Sequence, residues 1–215
     1  MSNGPSQIQK IARKFEILLE RMNGLDFSTV IPVAELGFDE ALVKKGSPSG
    51  NKYLTNLLSD LNIQQNDKIL DIGCAKGGVL RCMTKFPFKN IDGIEISDML
   101  ANIAVRNFQK LNEPRVNITN INATEFSHYA DYDFLYLYNP FPESIMEKVL
   151  TLIQNQISSK KEVVIIYNNP VCHDQFESFG LCKITEYPDM WGNGINIYSN
   201  FKKSRRFANE KSNKI

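Results

Sequence analysis

The segment from Asp71 to Gly78, DIGCAKGG, has the residue types and the spacing of a cofactor-binding loop. It follows a short apolar run, and in open α/β sheets ligands bind beyond the carboxyl ends of such strands. Glycine at positions 73, 77 and 78 lets the backbone adopt dihedral angles that a Cβ forbids and approach a ligand closely. The spacing G-x-x-x-G-G differs from the G-x-G-x-x-G of dinucleotide enzymes, because position 75 is alanine. The segment therefore predicts a cofactor loop and argues against a dinucleotide.

A carboxylate that lies 22 residues beyond Gly73 offers a second contact for such a cofactor. Glu95 stands near the end of the apolar run at 91–96, which is typical of a second strand. An acid there can accept hydrogen bonds from both hydroxyls of an adenosine ribose. Each acid alone has an ordinary explanation, since Asp71 could be a turn residue and Glu95 a solvated strand-end acid. Their order and placement together favour an adenosine cofactor.

Apolar runs alternate with helical patterns along most of the chain. Strand-like runs lie at 68–73, 91–96, 116–121, 133–138 and 162–167, and helical segments include 97–111, with Ser97 as its N-cap, and 143–157. This alternation predicts a parallel sheet with helices on both faces. Two later runs, 183–187 and 195–200, flank a turn that has no room for a crossover helix. They predict an antiparallel hairpin at the end of the sheet.

These patterns divide the chain into three predicted parts, namely an N-terminal helix with a lid-like extension (1–50), the α/β domain (51–201) and a basic tail (202–215). The helix carries apolar residues at spacings of three and four between Ile8 and Met22, and Gly24 is its stop signal. The tail holds six basic residues and one acid with little apolar content, and is therefore predicted to be disordered.

The bulk composition excludes several classes of protein. Twenty-five basic and 24 acidic residues give a net charge of +1, which disfavours long nucleic acid as a partner. No apolar run approaches the roughly 18 residues of a membrane span, and the N-terminus lacks the apolar region of a secretory signal. The four cysteines match neither a zinc site nor a disulfide framework. We therefore expect reduced thiols, no metal and a cytoplasmic protein.

Over roughly residues 50–200 the chain resembles the class I S-adenosylmethionine-dependent methyltransferases. DIGCAKGG resembles their motif I, and GIEIS at 93–97 resembles their acidic motif II. The closest resemblance is to a bacterial subgroup with D-I-G-x-x-K-G motifs, to which YNPF at 138–141 and YNNP at 167–170 correspond. The resemblance implies an α/β, Rossmann-like sheet of seven strands whose last strand is antiparallel. This agrees with the hairpin that the pattern predicts.

The resemblance also implies the residues that bind S-adenosyl-L-methionine and its product S-adenosyl-L-homocysteine. Asp71 orients the loop and the amino-acid end of the cofactor, and Glu95 holds the ribose. The implied cofactor-binding set is Asp71, Gly73, Cys74, Ala75, Gly77, Glu95, Ile96, Asn122, Ala123 and Asn139. Many relatives have an acid beside the adenine where this chain has Asn122, although an amide can also bind adenine. Cys74 is predicted to be a small packing residue and not a nucleophile.

Asn139 ends the fourth predicted strand, where the methyl group should point. Methyl transfer from a sulfonium is an in-line displacement, so positioning supplies most of the acceleration and a general base is needed only for some nucleophiles. In amino-directed methyltransferases an Asn or Asp followed by Pro-Pro and an aromatic residue holds the target nitrogen. This chain matches that motif only in part, because Phe141 replaces the second proline. The alternative is a turn that ends a strand.

The remaining acceptor-site predictions concern the same edge of the sheet. The predicted acceptor-binding residues are Pro140, Phe141, Asn168 and Asn169. His173 is a candidate general base for a hydroxyl acceptor, and its alternative is an ordinary surface histidine. By analogy with the family, the N-terminal extension forms a lid over cofactor and acceptor, and Trp191 adds a wall to the site.

The sequence thus predicts a methyltransferase that moves a methyl group to a nitrogen or oxygen, on a small molecule or a carbohydrate. A protein side chain stays open as an acceptor, and the oligomeric state is not specified. One alternative is a nicotinamide-dependent oxidoreductase, which would need the dinucleotide loop that this sequence lacks. The other is a non-catalytic cofactor-binding module or partner subunit with the same fold.

Overall fold

A seven-stranded sheet forms the centre of the protein in the computed structural model, which describes residues 7–37 and 50–207. The strands are β1 (Lys68–Ile72), β2 (Asn90–Glu95), β3 (Val116–Asn120), β4 (Phe134–Tyr138), β5 (Val164–Asn168), β6 (Cys182–Tyr187) and β7 (Ile195–Ser199). Their order is β3-β2-β1-β4-β5-β7-β6. β1 to β5 are parallel, and β7 is antiparallel to both β5 and β6. The predicted α/β sheet with a final antiparallel hairpin is confirmed.

Helices cover both faces of this sheet. They are α1 (Gln7–Met22), α2 (Lys52–Asp60), α3 (Gly78–Met83), α4 (Asp98–Leu111), α5 (Glu143–Gln156) and α6 (His173–Ser178). α2, α3 and α4 contribute to the core on one face, and α5 and α6 to the core on the other. Ser97 caps α4 as predicted, because its Oγ accepts a hydrogen bond from the Leu100 N–H at 3.3 Å. α6 was not predicted, since six residues are too few to show a helical period.

The central strands are buried on both faces, which explains their nearly continuous apolar sequence. In β4 and β5, Tyr136 and Ile166 belong to the core beneath α2 and α3, and Leu137 and Tyr167 belong to the core beneath α5. β3 lies at the edge of the sheet, and Asn117, Thr119 and Asn120 are exposed there. The polar residues that interrupt its apolar pattern are therefore those that face solvent.

The predicted N-terminal helix is present as α1, but the part of its apolar stripe from Phe15 to Met22 is turned outward. Phe15, Leu18, Leu19 and Met22 are between 44% and 75% exposed, whereas Glu20 is buried. Residues 38–49 of the predicted lid lie outside the described residues. Within the described ranges, no helix combines the length and the apolar content that crossing a membrane requires.

The prediction of a disordered tail is wrong for residues 202–207. The Arg206 guanidinium lies 2.8 Å from the Asp67 carboxylate and 3.6 Å from that of Asp133, and it stacks over the Phe134 ring. The Arg206 carbonyl accepts a hydrogen bond from the Asn62 N–H at 2.6 Å, and Phe207 forms a β-bridge with Leu61. The basic composition of residues 202–215 did not indicate this contact, because Asp67 and Asp133 are distant from Arg206 in the sequence. Residues 208–215 lie outside the described residues.

We expect Arg206→Met to lower the free energy of unfolding by about 2 kcal/mol, because it leaves two acids without their guanidinium partner. Urea denaturation measures this change. The matched control is Lys203→Met in the same segment, whose exposed side chain should contribute less than about 0.5 kcal/mol. Equal effects of the two substitutions would contradict the assignment of Arg206 as the anchor.

Candidate cofactor and methyl-transfer site

The predicted cofactor loop runs from the end of β1 to the start of α3. The Gly73 and Cys74 N–H groups donate to the Ile94 carbonyl at 2.9 and 3.0 Å, so the loop crosses the end of β2. The chain then reverses, and the Gly77 N–H donates to the Cys74 carbonyl at 2.9 Å. The loop therefore lies at the carboxyl edge of the sheet, where open α/β folds bind ligands.

Two glycines of this loop are required by both their backbone dihedrals and their surroundings. Gly73 has φ +82°, and a Cβ there would lie 3.1 Å from the Cβ of Pro140. Gly77 has φ +84°, and a Cβ there would lie 2.5 Å from Cε2 of Phe108. The glycine spacing read from the sequence is thus the spacing of a tight turn packed between β4 and α4.

Glu95 closes the loop from the end of β2. Its side chain is 6% exposed, and its two carboxylate oxygens accept hydrogen bonds from the Ala75 and Ser97 N–H groups, each at 2.9 Å. A carboxylate has about four acceptor positions, so Glu95 retains the capacity to accept a further hydrogen bond. The structure therefore brings Glu95 and the loop together, as the sequence predicts.

Two acids share this buried region. Burial raises the pKa of Asp71 well above its ordinary range, and the nearby Glu95 raises it further. Burial also raises the pKa of Glu95, against the opposing effect of the N–H groups of Ser97 and Ala75. The Cys74 thiol is buried beside both acids, which raises its pKa and keeps it protonated. This agrees with the prediction that Cys74 is a packing residue, and its Sγ fills the space beside Gly93.

The loops after β2 and β3 lie beside Glu95 and offer a surface for a base. Ile96 is 37% exposed, and the Asn120 Nδ2 donates to the carbonyls of Glu95 and Ile96 at 2.8 and 3.0 Å. Asn122 caps a 3-10 turn, where its Oδ1 accepts hydrogen bonds from the Thr124 N–H and hydroxyl. Ala123 is buried in that turn. An adenine contact of Asn122 stays a prediction, and it would use the amide Nδ2.

Carboxamide side chains follow β4 and end β5 at the same edge. Asn139 is buried with φ +35°, and its Oδ1 lies 3.4 Å from the Tyr167 hydroxyl. Asn168 is 1% exposed and donates from Nδ2 to the Tyr136 hydroxyl at 3.2 Å. Within the described residues, the buried Oδ1 of Asn168 has no hydrogen-bond partner. Asn169 has φ +53°, and its N–H donates to the Gly194 carbonyl.

The other predicted acceptor residues have different surroundings. Pro140 packs near Gly73, whereas Phe141 is partly buried against the core beneath α5. His173 begins α6, and its Nδ1 lies 2.6 Å from the hydroxyl of Tyr198, a fully buried residue of β7. Trp191 is partly exposed in the turn before Gly194. The general-base role of His173 and the wall formed by Trp191 stay predictions.

Lys76 lies inside the predicted loop, but its sequence context did not indicate a role for it. It is buried, and its Nζ contacts Asp26 and Thr29 of the N-terminal segment. Asn107 on α4 contacts the same segment. The lysine within the motif was a visible signal, but its partners have no local pattern that could have identified them.

Solved structures identify this architecture, whereas no family model and no curated protein matches the sequence. The chain is similar to a SAM-dependent methyltransferase from Aquifex aeolicus, with TM-score 0.54 and 13% identity over 69% of this chain and 88% of that one. It is similar to the mitomycin 7-O-methyltransferase MmcR, with TM-score 0.56 and 12% identity over 72% and 52% of the two chains. A variant of MtNAS in complex with S-adenosylmethionine gives TM-score 0.54 and 14% identity over 68% and 59%. The chain has the class I methyltransferase fold.

The methyltransferase fold differs from the dinucleotide fold at the end of the sheet. In the doubly wound dinucleotide fold the strand order is 3-2-1-4-5-6. Here β7 is inserted between β5 and β6 and is antiparallel to both. Strand order and glycine spacing thus argue independently against the oxidoreductase alternative.

In this methyltransferase fold the buried acid Asp71 should reduce stability as the pH rises. Its raised pKa means that ionisation costs more free energy in the folded state than in the unfolded state. The free energy of unfolding of the wild type should therefore fall relative to Asp71→Asn as the pH rises above the ordinary value of 3.8. Urea denaturation at about pH 4 and about pH 8 measures the difference.

The control for this comparison is Glu147→Gln, since Glu147 is exposed on α5. Its stability should follow that of the wild type at both pH values. A constant difference between wild type and Asp71→Asn across this pH range would show that Asp71 does not titrate with a raised pKa.

Proposed function

We propose that this protein is an S-adenosylmethionine-dependent methyltransferase that transfers a methyl group to a nitrogen or oxygen of a small molecule or carbohydrate. The observation that carries the proposal is the closure of the loop on Glu95. A buried carboxylate at the end of β2 accepts the Ala75 N–H, within the strand order of the class I methyltransferases. This is the arrangement that an adenosine cofactor with a free ribose needs.

In this proposal, different residues around the loop contact different parts of the cofactor. The backbone from Gly73 to Gly77 would pass beneath the amino-acid end, and the Glu95 oxygens would accept the two ribose hydroxyls. Ile96 offers an apolar surface for the adenine, and Asn122 offers an amide at its edge. These roles rest on the positions of the residues at the carboxyl edge of the sheet.

The bound cofactor supplies a methyl group on a sulfonium, which is an already activated carbon. The chain then has to hold the acceptor in line with that carbon and exclude water, and such positioning can supply much of the acceleration. Asn139 follows β4 beside the loop, where its carboxamide can hold the acceptor atom. A neutral amine attacks with its own lone pair and loses its proton afterwards, so it needs no early base.

The chemistry of the strand ends favours an acceptor that donates hydrogen bonds. The Oδ1 of Asn168 is buried without a partner within the described residues. A buried acceptor without a partner costs free energy, and an N–H or O–H group of the acceptor would remove that cost. The near-neutral chain gives no global attraction to a polyanion, which supports a small molecule or carbohydrate. By its name, the mitomycin 7-O-methyltransferase among the similar structures acts on such a molecule.

The second candidate is a binding module or partner subunit that holds the cofactor without transferring its methyl group. The partial match of the Asn139 segment to amino-directed enzymes keeps this candidate open. A screen of amines, phenols and sugars with cofactor labelled in the methyl group separates the two. Labelled product supports the enzyme, and tight binding without any transfer supports the module.

We expect Glu95→Ala to weaken binding of S-adenosylhomocysteine by about 1.5–3 kcal/mol, the scale for hydrogen bonds to a charged group. Isothermal titration calorimetry measures this affinity, with NADH as the competing ligand class. Glu147→Ala is the control, since Glu147 is exposed on α5 and should leave the affinity unchanged.

The same titration can separate the ribose contact from loosening of the loop. An analogue of S-adenosylhomocysteine without ribose hydroxyls should lose less affinity in Glu95→Ala than the natural ligand does, because only the effect of the opened loop remains. If Glu95→Ala loses the analogue as strongly as the natural ligand, Glu95 acts on the loop and not on the ribose. Binding of NADH alone would overturn the proposed function.

Asn139→Ala should lower the rate of methyl transfer at saturating cofactor by about 10- to 100-fold, because misplacing the acceptor affects the in-line geometry directly. The affinity for S-adenosylhomocysteine should change by less than about threefold. Labelled transfer to an acceptor from the screen measures the rate, and calorimetry measures the affinity. The opposite pattern, with weaker binding and an unchanged rate, would make Asn139 a cofactor residue only.

A further inference from the structure

The lysine inside the cofactor loop is held by the N-terminal segment, residues 25–30. Lys76 is 5% exposed, and its ammonium group contacts the Asp26 carboxylate and lies 2.6 Å from the Thr29 hydroxyl. A buried ammonium group requires a charged or hydrogen-bonding partner, since its desolvation is costly. Asp26 therefore provides the charge that lets the loop bury this lysine.

A second contact fixes the same two residues through their backbones. The Asn107 Nδ2 donates to the carbonyls of Asp26 and Lys76 at 2.9 and 3.1 Å, and its Oδ1 accepts the Asp26 N–H at 2.9 Å. Asn107 is itself buried on α4. The segment and the loop are thus joined by one ion pair and by one side-chain amide that holds both backbones.

The N-terminal segment is in turn fastened to the helices on either side. The buried Glu20 carboxylate accepts the N–H groups of Phe27 and Ser28 at 3.0 and 2.9 Å and pairs with Arg81 of α3. The Phe27 ring lies edge-on to that of Phe108, whose own ring packs against Gly77. The position of Asp26 is therefore set by contacts that do not involve the cofactor.

The position of Lys76 in the loop explains why its contact with Asp26 matters. Lys76 stands between Ala75, which has φ +46°, and Gly77, which has φ +84°. A left-handed alanine is strained, and such a conformation persists only where the surroundings impose it. The same Ala75 donates its N–H to Glu95 at 2.9 Å. Any release of Lys76 would therefore alter the group that orients the Glu95 carboxylate.

We propose that Asp26 is a positioning residue of the cofactor site, which acts through Lys76 to hold the Ala75 turn against Glu95. The inference rests on the proposed function in one respect, namely that this loop binds S-adenosylmethionine. It adds that a segment outside the α/β domain is part of the binding site without touching the cofactor.

The test compares cofactor affinity in Asp26→Asn, Lys76→Met and the double variant. Asp26→Asn keeps the shape of the side chain and removes its charge, and should weaken binding of S-adenosylhomocysteine by about tenfold. Because Asp26 acts through Lys76, the same substitution should change the affinity by less than about twofold in the Lys76→Met background. Titration at a temperature where circular dichroism shows every variant to be folded excludes a simple loss of stability.

Asp131→Asn is the matched control, since this exposed aspartate lies far along the chain from the segment and should bind as the wild type does. Thr29→Val provides a milder variant that keeps the charge pair and removes the hydroxyl that contacts both Lys76 and Asp26, and it should weaken binding by about twofold to fivefold. It keeps the test valid if loss of the charge pair prevents folding.

Three results would overturn the inference. Unchanged affinity in folded Asp26→Asn and Thr29→Val would show that the loop does not depend on the segment. An equal loss in the presence and absence of Lys76 would show that Asp26 acts by another route. Failure of the wild type to bind the cofactor would overturn both this inference and the proposed function, whereas intact binding that Glu95→Ala weakens leaves the proposed function standing.

Discussion

The candidate site depends on the hydrogen bonds by which a buried carboxylate holds two backbone segments at the carboxyl edge of the sheet. Glu95 accepts one N–H from the loop after β1 and one from the start of α4, each at 2.9 Å. The N–H group from the loop is that of Ala75, which has a left-handed backbone. A single acid thus closes the loop, and in the proposed function the same acid binds the ribose.

Several features that cost folding free energy lie together at the candidate site. Burial raises the cost of ionising Asp71, and the neighbouring Glu95 adds to it. Ala75, Asn139 and Asn169 have left-handed backbones, and one amide oxygen is buried without a partner within the described residues. Strain and unsatisfied polar groups of this kind gather at functional sites, where a ligand or a reaction gains from them. The cores on both faces of the sheet are apolar and buried, and their burial offsets these local costs.

The N-terminal extension of the predicted division is joined to the α/β domain by side-chain contacts. Residues 1–50 look like an extension beside the α/β domain, but Asp26 and Glu20 tie the described part of that extension to the loop and to α3. At the other end, Arg206 ties the last described residues to Asp67 and Asp133. Both ends are held by charge pairs at the surface of the same core. The exposed apolar side chains between Phe15 and Met22 of α1 are the exception to this integration.

The sequence by itself determined the succession of strands and helices along the chain, the glycine spacing of the loop at 71–78 and the final antiparallel hairpin, and it predicted Glu95 as a cofactor contact. These features depend on short-range signals, such as apolar runs, glycine spacing and the length of a connection. The tertiary structure alone decided the pairing of Lys76 with Asp26, 50 residues away, and of Arg206 with Asp67, 139 residues away. It also decided that His173 contacts Tyr198 and that the apolar side chains from Phe15 to Met22 of α1 are exposed. The sequence around a charged side chain does not indicate its partner when only folding brings that partner within hydrogen-bond distance.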